Sequence, residues 1–338
     1  MSILITGGTG YIGSHCAAEL LKNNAEVVLL DNLSNSSEEV CKHLYKVCGK
    51  KPNFYKGNIN NKDILDYIFK CFNIKAVIHC AGLKAVGESV LKPIEYYENN
   101  VEGTKSLLSV MQKHDVFKLI FSSSASVYGN PDYHPIDEIH PLNPLNPYAS
   151  SKVKIEEILK KLSKESSKWK VLSLRYFNPI GAHDSYLLGD DPTGQPNNLF
   201  PFIMKVAMGE KEELEIFGSD YNTPDGTGVR DYIHIMDLVD GHISSMLYLE
   251  KMKAPLNYEN INLGAGRGYS VLEVLNSFET VNNLKIPYSF AERREGDVDN
   301  SYANISKARL MLNWTPKRTI EDMCTSAWSF QKKSKNEI

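Results

Sequence analysis

The chain has 338 residues, of which 42% are hydrophobic and 23% are charged. This is the composition of a folded globular protein, and the length predicts about two domains. A formal net charge of −3 gives no reason to expect nucleic acid or an anionic membrane as a partner. The six cysteines form no CxxC pair and the nine histidines show no HxxxH spacing, so no metal site is predicted.

Apolar runs in the sequence stay well short of the ~18 residues that a membrane helix needs. Residues 1–5 lead straight into a glycine turn, and this pattern predicts a first strand instead of a signal peptide. The low cysteine usage suits a reducing compartment. The expected location is therefore the cytoplasm.

The first half of the chain alternates short apolar runs with helical patterns. Strands that alternate with helices form βαβ units, whose parallel sheet is covered by helices on both faces. The predicted fold class is therefore α/β, with a Rossmann-type doubly wound parallel sheet. We predict strands at 2–6, 26–30, 75–79, 117–122 and 170–174, and helices at 13–23, 38–47, 63–72, 93–114 and 148–163.

The pattern loosens after residue 178, where 190–198 and 220–228 have the composition of loops. We predict that 1–178 forms an NAD-binding domain, with some later segments crossing back to it. Residues 179–338 are expected to form mainly a smaller α/β lobe that binds the substrate. The boundary is not sharp, because 170–174 still has the pattern of a sheet strand.

A glycine-rich turn, GGTGYIG at residues 7–13, stands between the first strand and the first helix. Small residues there let the backbone approach a pyrophosphate, which the helix N-terminus then binds. Asp31, at the end of the second strand, can accept hydrogen bonds from ribose hydroxyls and would repel a 2′-phosphate. The sequence thus favours NAD over NADP. The alternative is a glycine turn without a ligand.

Tyr148 and Lys152 are four residues apart on a predicted helix and so share one face. A lysine ammonium nearby, together with the charge of nicotinamide, would favour the phenolate and make Tyr148 a base. The alternative is a surface pair on an amphipathic helix. The serines at 122–124 follow an apolar strand, at the sheet edge where ligands bind. A catalytic set is favoured because all these groups occur in the order that one site requires, although a serine-rich turn remains the alternative for 122–124.

Longer segments resemble the UDP-galactose 4-epimerase family, also called UDP-glucose 4-epimerases, within the extended short-chain dehydrogenases/reductases. The resemblance covers nearly the whole chain. The segments are TGGTGYIGSH at 6–15, AGLKAVGESV at 81–90, FSSSASVYG at 121–129, RYFNPIGAH at 175–183, PNNLFPF at 196–202, GTGVRDYIHIMDL at 226–238 and RREGD at 293–297.

The resemblance implies an isomerase of galactose metabolism that holds NAD tightly and acts on UDP-sugars. Tyr148 would remove the proton of the sugar 4-hydroxyl, Ser124 would support that oxygen, and Lys152 would lower the pKa of Tyr148. Hydride would pass from C4 to NAD and return to the other face of the 4-keto sugar. A homodimer is also implied, to which the helix at 93–114 could contribute.

Binding residues carried over from the family fall into two sets. Arg230 and Arg294 would hold the diphosphate, which suits the guanidinium fork. The implied cofactor contacts are Gly7, Gly10, Tyr11, Ile12, Gly13, Asp31, Asn32, Ser34, Asn35, Ser36, Asn58, Ile59, Cys80, Ala81, Gly82, Leu83, Lys84, Asn99, Ser124, Tyr148, Lys152 and Phe177. The implied substrate contacts are Lys84, Ser124, Tyr148, Asn178, Asn198, Leu199, Ile216, Phe217, Arg230, Arg294, Asp297 and Ser301.

Two positions depart from the family pattern. Asn58 stands where the family often has an aspartate beside the adenine, so an uncharged acceptor replaces a charged one. Ser301 stands where some members carry a bulky tyrosine. Members with a small residue there also admit N-acetylated sugars, so UDP-GalNAc or UDP-GlcNAc is an expected additional substrate.

Two other functions are alternatives to the epimerase. A related sugar-nucleotide enzyme, a 4,6-dehydratase, needs an acid pair just after the catalytic serine or threonine, where this chain has Ala125, Ser126 and Val127. A non-enzymatic NAD-binding scaffold would keep the glycine turn and lose the tyrosine or the lysine. The residues favour the epimerase over both.

Overall fold

The computed structural model describes residues 2–192, 198–252, 257–294 and 297–336. The chain divides into two compact units and passes between them more than once. The first unit comprises Met1–Gly129, Leu142–Arg175 and Val239–Ile261, and the second comprises Asn130–Pro141, Tyr176–Leu238 and Asn262–Ile338. None of the helices in these described ranges is long and apolar enough to cross a membrane.

A seven-stranded parallel sheet forms the centre of the first unit, with the strand order β10-β6-β5-β4-β1-β2-β3. The predicted α/β fold class is confirmed. The strands are β1 Ser2–Thr6, β2 Glu26–Asp31, β3 Asn53–Lys56, β4 Ile74–His79, β5 Lys118–Ser124, β6 Lys170–Tyr176, β7 Asn178–Ile180, β8 Leu214–Phe217, β9 Val229–His234, β10 Tyr258–Leu263, β11 Gly268–Ser270, β12 Tyr288–Ala291 and β13 Asn300–Ser301.

The central strands are buried on both faces. Every residue of β1 is buried, and so are the four middle residues of β2. Successive side chains of a strand point to opposite faces, so helices must cover both sides of the sheet. Leu4, Val28 and Val77 belong to one hydrophobic cluster, together with Leu65, Leu107 and other residues from the helices on that side.

The predicted helices at 13–23, 38–47, 63–72 and 148–163 are found in the first unit to within a few residues, whereas the short helix Val86–Leu91 was not predicted. The predicted helix at 93–114 is interrupted, because residues Tyr97–Glu102 adopt a π-helical turn between two α-helical pieces. The helices are α1 Tyr11–Lys22, α2 Glu39–Cys48, α3 Lys62–Cys71, α4 Val86–Leu91, α5 Pro93–Tyr96, α6 Gly103–Lys113, α7 Pro147–Glu165, α8 Leu199–Ala207, α9 Ile235–Lys251, α10 Val271–Asn282, α11 Ser306–Leu312 and α12 Ile320–Asn336.

The second unit has its own small sheets and its own core. Strand β9 pairs with β11, β13 and β7, and β8 pairs with β12. Helix α10 begins at a capping box, in which the Ser270 hydroxyl accepts from the Glu273 N–H and the Glu273 carboxylate accepts from the Ser270 N–H. Phe278 and Trp328 are among the buried residues of the core that these elements enclose.

Candidate active site

The turn between β1 and α1 requires glycine at two positions. Gly7 has a left-handed backbone with φ of +66°, and a Cβ there would lie 2.7 Å from the amide nitrogen of Ala81. A Cβ on Gly13 would lie 2.1 Å from the carbonyl oxygen of Gly7. Because both approaches leave no room for a side chain, the predicted phosphate-binding turn is sterically defined by its glycines.

The N-terminus of α1 is suited to bind an anion. The helix begins at Tyr11 with Gly10 as its N-cap, and no side chain in the described ranges caps it. Such a helix end carries a partial positive charge and directs its first N–H groups forward. The Asp31 carboxylate accepts from the Thr9 N–H at 3.1 Å and from the Ser36 hydroxyl at 3.3 Å, next to the turn. These residues fit the diphosphate and the ribose of a dinucleotide.

We expect Gly13→Ala to weaken the binding of NAD about tenfold or more, because the added methyl group collides with the backbone of Gly7. Overpacking of this kind costs about 1–3 kcal/mol, and 1.4 kcal/mol corresponds to a tenfold change in Kd. Isothermal titration with NAD measures the effect. Gly87→Ala is the matched control, since a Cβ there meets nothing within 4 Å. Equal affinity in both variants would contradict the assignment of the turn.

The residues around the adenine end of the predicted cofactor site form local turns. The Asn32 side chain accepts from the Ser34 N–H at 3.0 Å, and the Asn58 side chain accepts from the Asn60 N–H at 2.9 Å. The side-chain oxygen of Asn58 thus keeps one further lone pair for a ligand. Ile59 is 4% exposed and packs in the core, so a ligand contact at that position would involve its backbone.

The loop after β4, which carries the predicted contacts from Cys80 to Lys84, is held by Asn100. This buried side chain accepts from the Leu83 N–H at 2.8 Å and donates to the Leu83 carbonyl at 3.0 Å. It also donates to the hydroxyl of Ser151 on α7 and accepts from the predicted cofactor contact Asn99. Asn100 lies in the π-helical turn, a feature frequent at functional sites. This role of Asn100 was not predicted from the sequence, although the NN pair at 99–100 is visible there.

The structure brings Ser124, Tyr148 and Lys152 together at the carboxyl edge of the sheet. The serines at 122–124 form the end of β5 and do not follow it, which corrects their predicted position. The Ser124 hydroxyl lies close enough to Tyr148 to lower the pKa of its phenol. The Lys152 ammonium lies 5.8 Å from the centre of the Tyr148 ring and donates to the Ser122 carbonyl at 2.7 Å.

Burial dominates the titration of the two helix residues. It raises the pKa of Tyr148, and the neighbouring Ser124 hydroxyl opposes the rise. It lowers the pKa of Lys152 to about 8, against the opposing effect of Cys80 and Glu156. The protein by itself therefore keeps the phenol protonated. The lowering expected from the sequence needs the positive charge of the cofactor in addition to that of Lys152.

In the second unit, two of the predicted diphosphate ligands share one carboxylate. Asp297 accepts from Arg294 at 2.9 Å and lies 3.5 Å from Arg230. Arg230 also donates to the Val298 carbonyl at 2.7 Å, and Arg294 stacks over the Phe217 ring at 5.0 Å. Arg294 thus forms an ion pair with Asp297. It leaves two guanidinium groups side by side around one counter-charge.

Strand β9, which carries Arg230, is anchored by its neighbour Asp231. The buried Asp231 carboxylate accepts from the backbone N–H groups of Ala265, Gly266 and Ala303 at 2.6, 3.0 and 3.0 Å. Ser301 lies opposite Arg230 in the pairing of β13 with β9 and is half-buried. The role of Asp231 was not predicted from the sequence, because its hydrogen-bond donors are distant along the chain.

The remaining predicted substrate contacts also lie in the second unit. The Asn178 side chain donates to the Asp231 carbonyl at 2.9 Å, and Phe177 is 6% exposed. Ile216 is buried in the core, so its backbone is what a ligand could reach. Asn198 is exposed and caps α8, which begins at Leu199. Within the described ranges, no group of three or more histidine, cysteine or acidic side chains could hold a metal ion.

Comparison with known proteins identifies the family. Residues 4–327 match the family model described as GDP-mannose 4,6 dehydratase. The chain is 48% identical over 336 residues to the UDP-glucose 4-epimerase of Bacillus subtilis (strain 168). The aligned residues make up 99% of this chain and 98% of that relative. The chain belongs to the UDP-glucose 4-epimerase family. This result confirms the resemblance seen in the sequence.

Solved structures of the family share the whole fold. The UDP-glucose 4-epimerase of Bifidobacterium longum, in complex with NAD+ and UDP, is 46% identical, has a TM-score of 0.95 and covers 100% of both chains. The UDP-glucose 4-epimerase of Stenotrophomonas maltophila, with bound NAD and formylated UDP-arabinopyranose, is 39% identical, has a TM-score of 0.97 and also covers 100% of both chains.

Proposed function

We propose that this protein is an NAD-dependent isomerase that interconverts UDP-galactose and UDP-glucose at C4. The observation that carries the proposal is the grouping of Ser124, Tyr148 and Lys152, in which Ser124 lowers the pKa of the Tyr148 phenol and the Lys152 ammonium lies 5.8 Å from the centre of the Tyr148 ring. These three groups lie at the edge of the sheet where the glycine turn also lies. The family membership supports the same activity.

The first unit supplies the cofactor site in this proposal. NAD, when bound, supplies a reversible hydride acceptor, so that C4 can be oxidised and reduced again without net redox change. The N-terminus of α1 would hold the diphosphate, and Asp31 would accept from the adenine ribose. Asn100 keeps the loop at 80–84 in place beside α7.

The proton chemistry belongs to Tyr148. Its phenol, deprotonated when the cofactor charge is present, accepts the proton of the sugar 4-hydroxyl and later returns it. Ser124 donates a hydrogen bond to the same sugar oxygen. Lys152 stabilises the phenolate and binds the nicotinamide ribose. The second unit would hold the nucleotide through Arg230 and Arg294, while the sugar is held loosely enough to turn.

The 4,6-dehydratase remains the nearest alternative, because the matching family model bears such a name. The helical turn after Ser124 carries no acidic residue in its first turn. Elimination of the 6-hydroxyl would lack its acid there. A scaffold without activity is disfavoured, because Tyr148 and Lys152 are both present and Lys152 is buried.

Proton NMR of UDP-galactose incubated with the purified protein tests the activity. We expect UDP-glucose to appear without added reductant. Formation of a 4-keto-6-deoxy sugar would instead establish the dehydratase. If NAD is bound and UDP-galactose stays unchanged, the substrate assignment is wrong.

Arg230→Met is expected to raise the KM for UDP-galactose and the Kd for UDP about 10- to 100-fold, with kcat nearly unchanged. A hydrogen bond to a charged group contributes about 1.5–3 kcal/mol, and the diphosphate is bound equally in the ground and transition states. Steady-state kinetics and UDP titration measure both constants. Arg293→Met is the control, since Arg293 already pairs with Asp220 at 2.7 Å. A fall of kcat at constant KM would contradict the role.

A cytoplasmic homodimer completes the proposal. The six cysteines are free thiols, which suits a reducing compartment. In the first unit, Val90, Leu91 and Ile94 on α4 and α5 are 61%, 82% and 73% exposed. A contiguous apolar patch is typical of a protein–protein interface. Sedimentation at several concentrations measures the oligomeric state.

A further inference from the structure

A buried ion pair lies behind the three proposed catalytic residues. Arg175 and Glu156 are 1% and 4% exposed. The Arg175 guanidinium donates to both carboxylate oxygens of Glu156, at 3.0 and 2.6 Å. Ser123 donates to the same carboxylate at 2.5 Å, and Arg175 donates to the Tyr128 hydroxyl at 3.0 Å.

The network joins the two segments that carry the reactive oxygens. Glu156 follows Lys152 by four residues and Tyr148 by eight, so all three share one face of α7. On strand β5, Ser123 directly precedes Ser124. Tyr128 ends the short helical turn that begins just after Ser124. The ion pair therefore connects the helix of the tyrosine to both ends of the segment that holds the serine.

Stability alone does not explain a charged pair at this position. Replacing a buried ion pair by apolar side chains of similar volume is often neutral or stabilising, because two charges must be desolvated. A two-point contact between guanidinium and carboxylate, however, fixes distance and direction as apolar packing does not. The pair thus holds α7 in a defined position against β5 and β6.

The same carboxylate acts on Lys152. The titratable groups around Lys152 are Tyr148 and Glu156 on α7, His79 and Cys80 at the end of β4, and Arg175 on β6 behind Glu156. Burial lowers the pKa of His79 to about 3 and raises the pKa of Cys80 to about 11, so both are neutral near pH 7. Glu156 raises the pKa of Lys152 and so counteracts its desolvation.

We propose that the Glu156–Arg175 pair is a positioning element of the reaction, which keeps Tyr148 within reach of Ser124 and keeps Lys152 charged. The inference rests on the catalytic roles proposed above for these three residues. Glu156 and Arg175 act through their neighbours, because their contacts are to Ser123, Tyr128 and the charge of Lys152.

Glu156→Gln tests both parts, because it keeps the size of the side chain and removes its charge. We expect kcat for UDP-galactose to fall about tenfold with KM unchanged. Lys152 will then lose its proton at a lower pH, so the alkaline limb of the kcat profile should move down by about one pH unit. Glu156→Asp keeps the charge but shortens the side chain, so kcat should fall while the limb stays at its wild-type position.

Two further variants separate a loss of folding from a loss of positioning. The double variant Glu156→Leu with Arg175→Met leaves no unpaired buried charge and should fold even where the single variant does not. It should show the same loss of kcat but a smaller shift of the alkaline limb, because the positive charge of Arg175 is removed together with the negative charge of Glu156. Glu157→Gln is the control on the same helix, since the exposed Glu157 only pairs with Lys154 at 3.0 Å. It should behave as the wild type does.

The outcomes separate the possible errors. If Glu156→Gln and the double variant keep wild-type kcat and the wild-type alkaline limb, the pair has no role in the reaction. A lower Tm alone, with kcat and limb unchanged, would show a merely structural role and overturns the inference as well. An inert wild type would overturn the proposed function itself, and with it this inference.

Discussion

Tyr148→Phe is expected to lower kcat for UDP-galactose by about 10²- to 10⁴-fold, the usual contribution of a positioned general acid or base. The variant removes only the hydroxyl that contacts Ser124, and the ring beside Lys152 stays. The KM for UDP-galactose and the affinity for UDP should therefore change little. Steady-state kinetics, with UDP titration alongside, measure all three quantities.

The site of the variant must be shown to be intact. A mild chemical reductant with UDP should still convert bound NAD to its reduced form, which is followed by its absorbance. Tyr45→Phe is the matched control, since that ring is 50% exposed in the first unit and should leave kcat unchanged. If Tyr148→Phe retains most of its activity, another group removes the proton, and the proposed roles of Ser124 and Lys152 would need revision.

Much of the first unit could be predicted from the sequence because its strands are buried on both faces. Such strands are short continuous apolar runs, and five of them were predicted within two residues of their ends. Strand β3 was not predicted, because two of its four residues are exposed and the other two are only partly buried. The π-helical turn in the predicted helix at 93–114 was also not predicted, since the local pattern does not show that Asn100 contacts Leu83 and Ser151, which are distant in the sequence.

The residues proposed for catalysis could be predicted from the sequence because each is recognised by its neighbours along the chain. Tyr148 and Lys152 lie on one helix, and Ser124 ends a strand. Residues that act in pairs from distant segments were not found, and Glu156 with Arg175 is the clearest case. One signal was present, because Arg175 stands in the otherwise mostly apolar run KVLSLRY. A charge in a buried strand requires a partner, but the sequence does not say which one.

The ligand contacts predicted in the second unit were taken from the family resemblance, and the structure places them in different surroundings. Arg230 and Arg294 are close to one another around Asp297. Ile216, in contrast, is buried in the core and offers a ligand only its backbone. Part of the predicted loop at 190–198 lies outside the described residues. Periodicity was weak in this unit because its strands are short and belong to small separate sheets.

Ser301→Tyr is expected to abolish epimerisation of UDP-GalNAc and UDP-GlcNAc and to spare that of UDP-galactose. Ser301 is half-buried on β13, opposite Arg230 of β9, which is proposed to hold the diphosphate. The family resemblance implies that a small residue there leaves space for an N-acetyl group. A tyrosine ring would fill the space, and the acetamido group would then collide with it, whereas a hydroxyl at the same sugar carbon is much smaller.

Two variants isolate the effect of volume at this position. Ser301→Cys keeps the side chain small and should retain both activities. Asn300→Tyr adds the same ring to the preceding residue of β13, whose side chain points to the other face of the strand, and should also leave both activities in place. The measurement is the ratio of kcat/KM for UDP-GalNAc to that for UDP-galactose. If Ser301→Tyr lowers both values together, the ring blocks nucleotide binding in general. If it lowers neither, the size of residue 301 does not select the sugar, and selection must come from groups that hold the acetamido oxygen or nitrogen by hydrogen bonds.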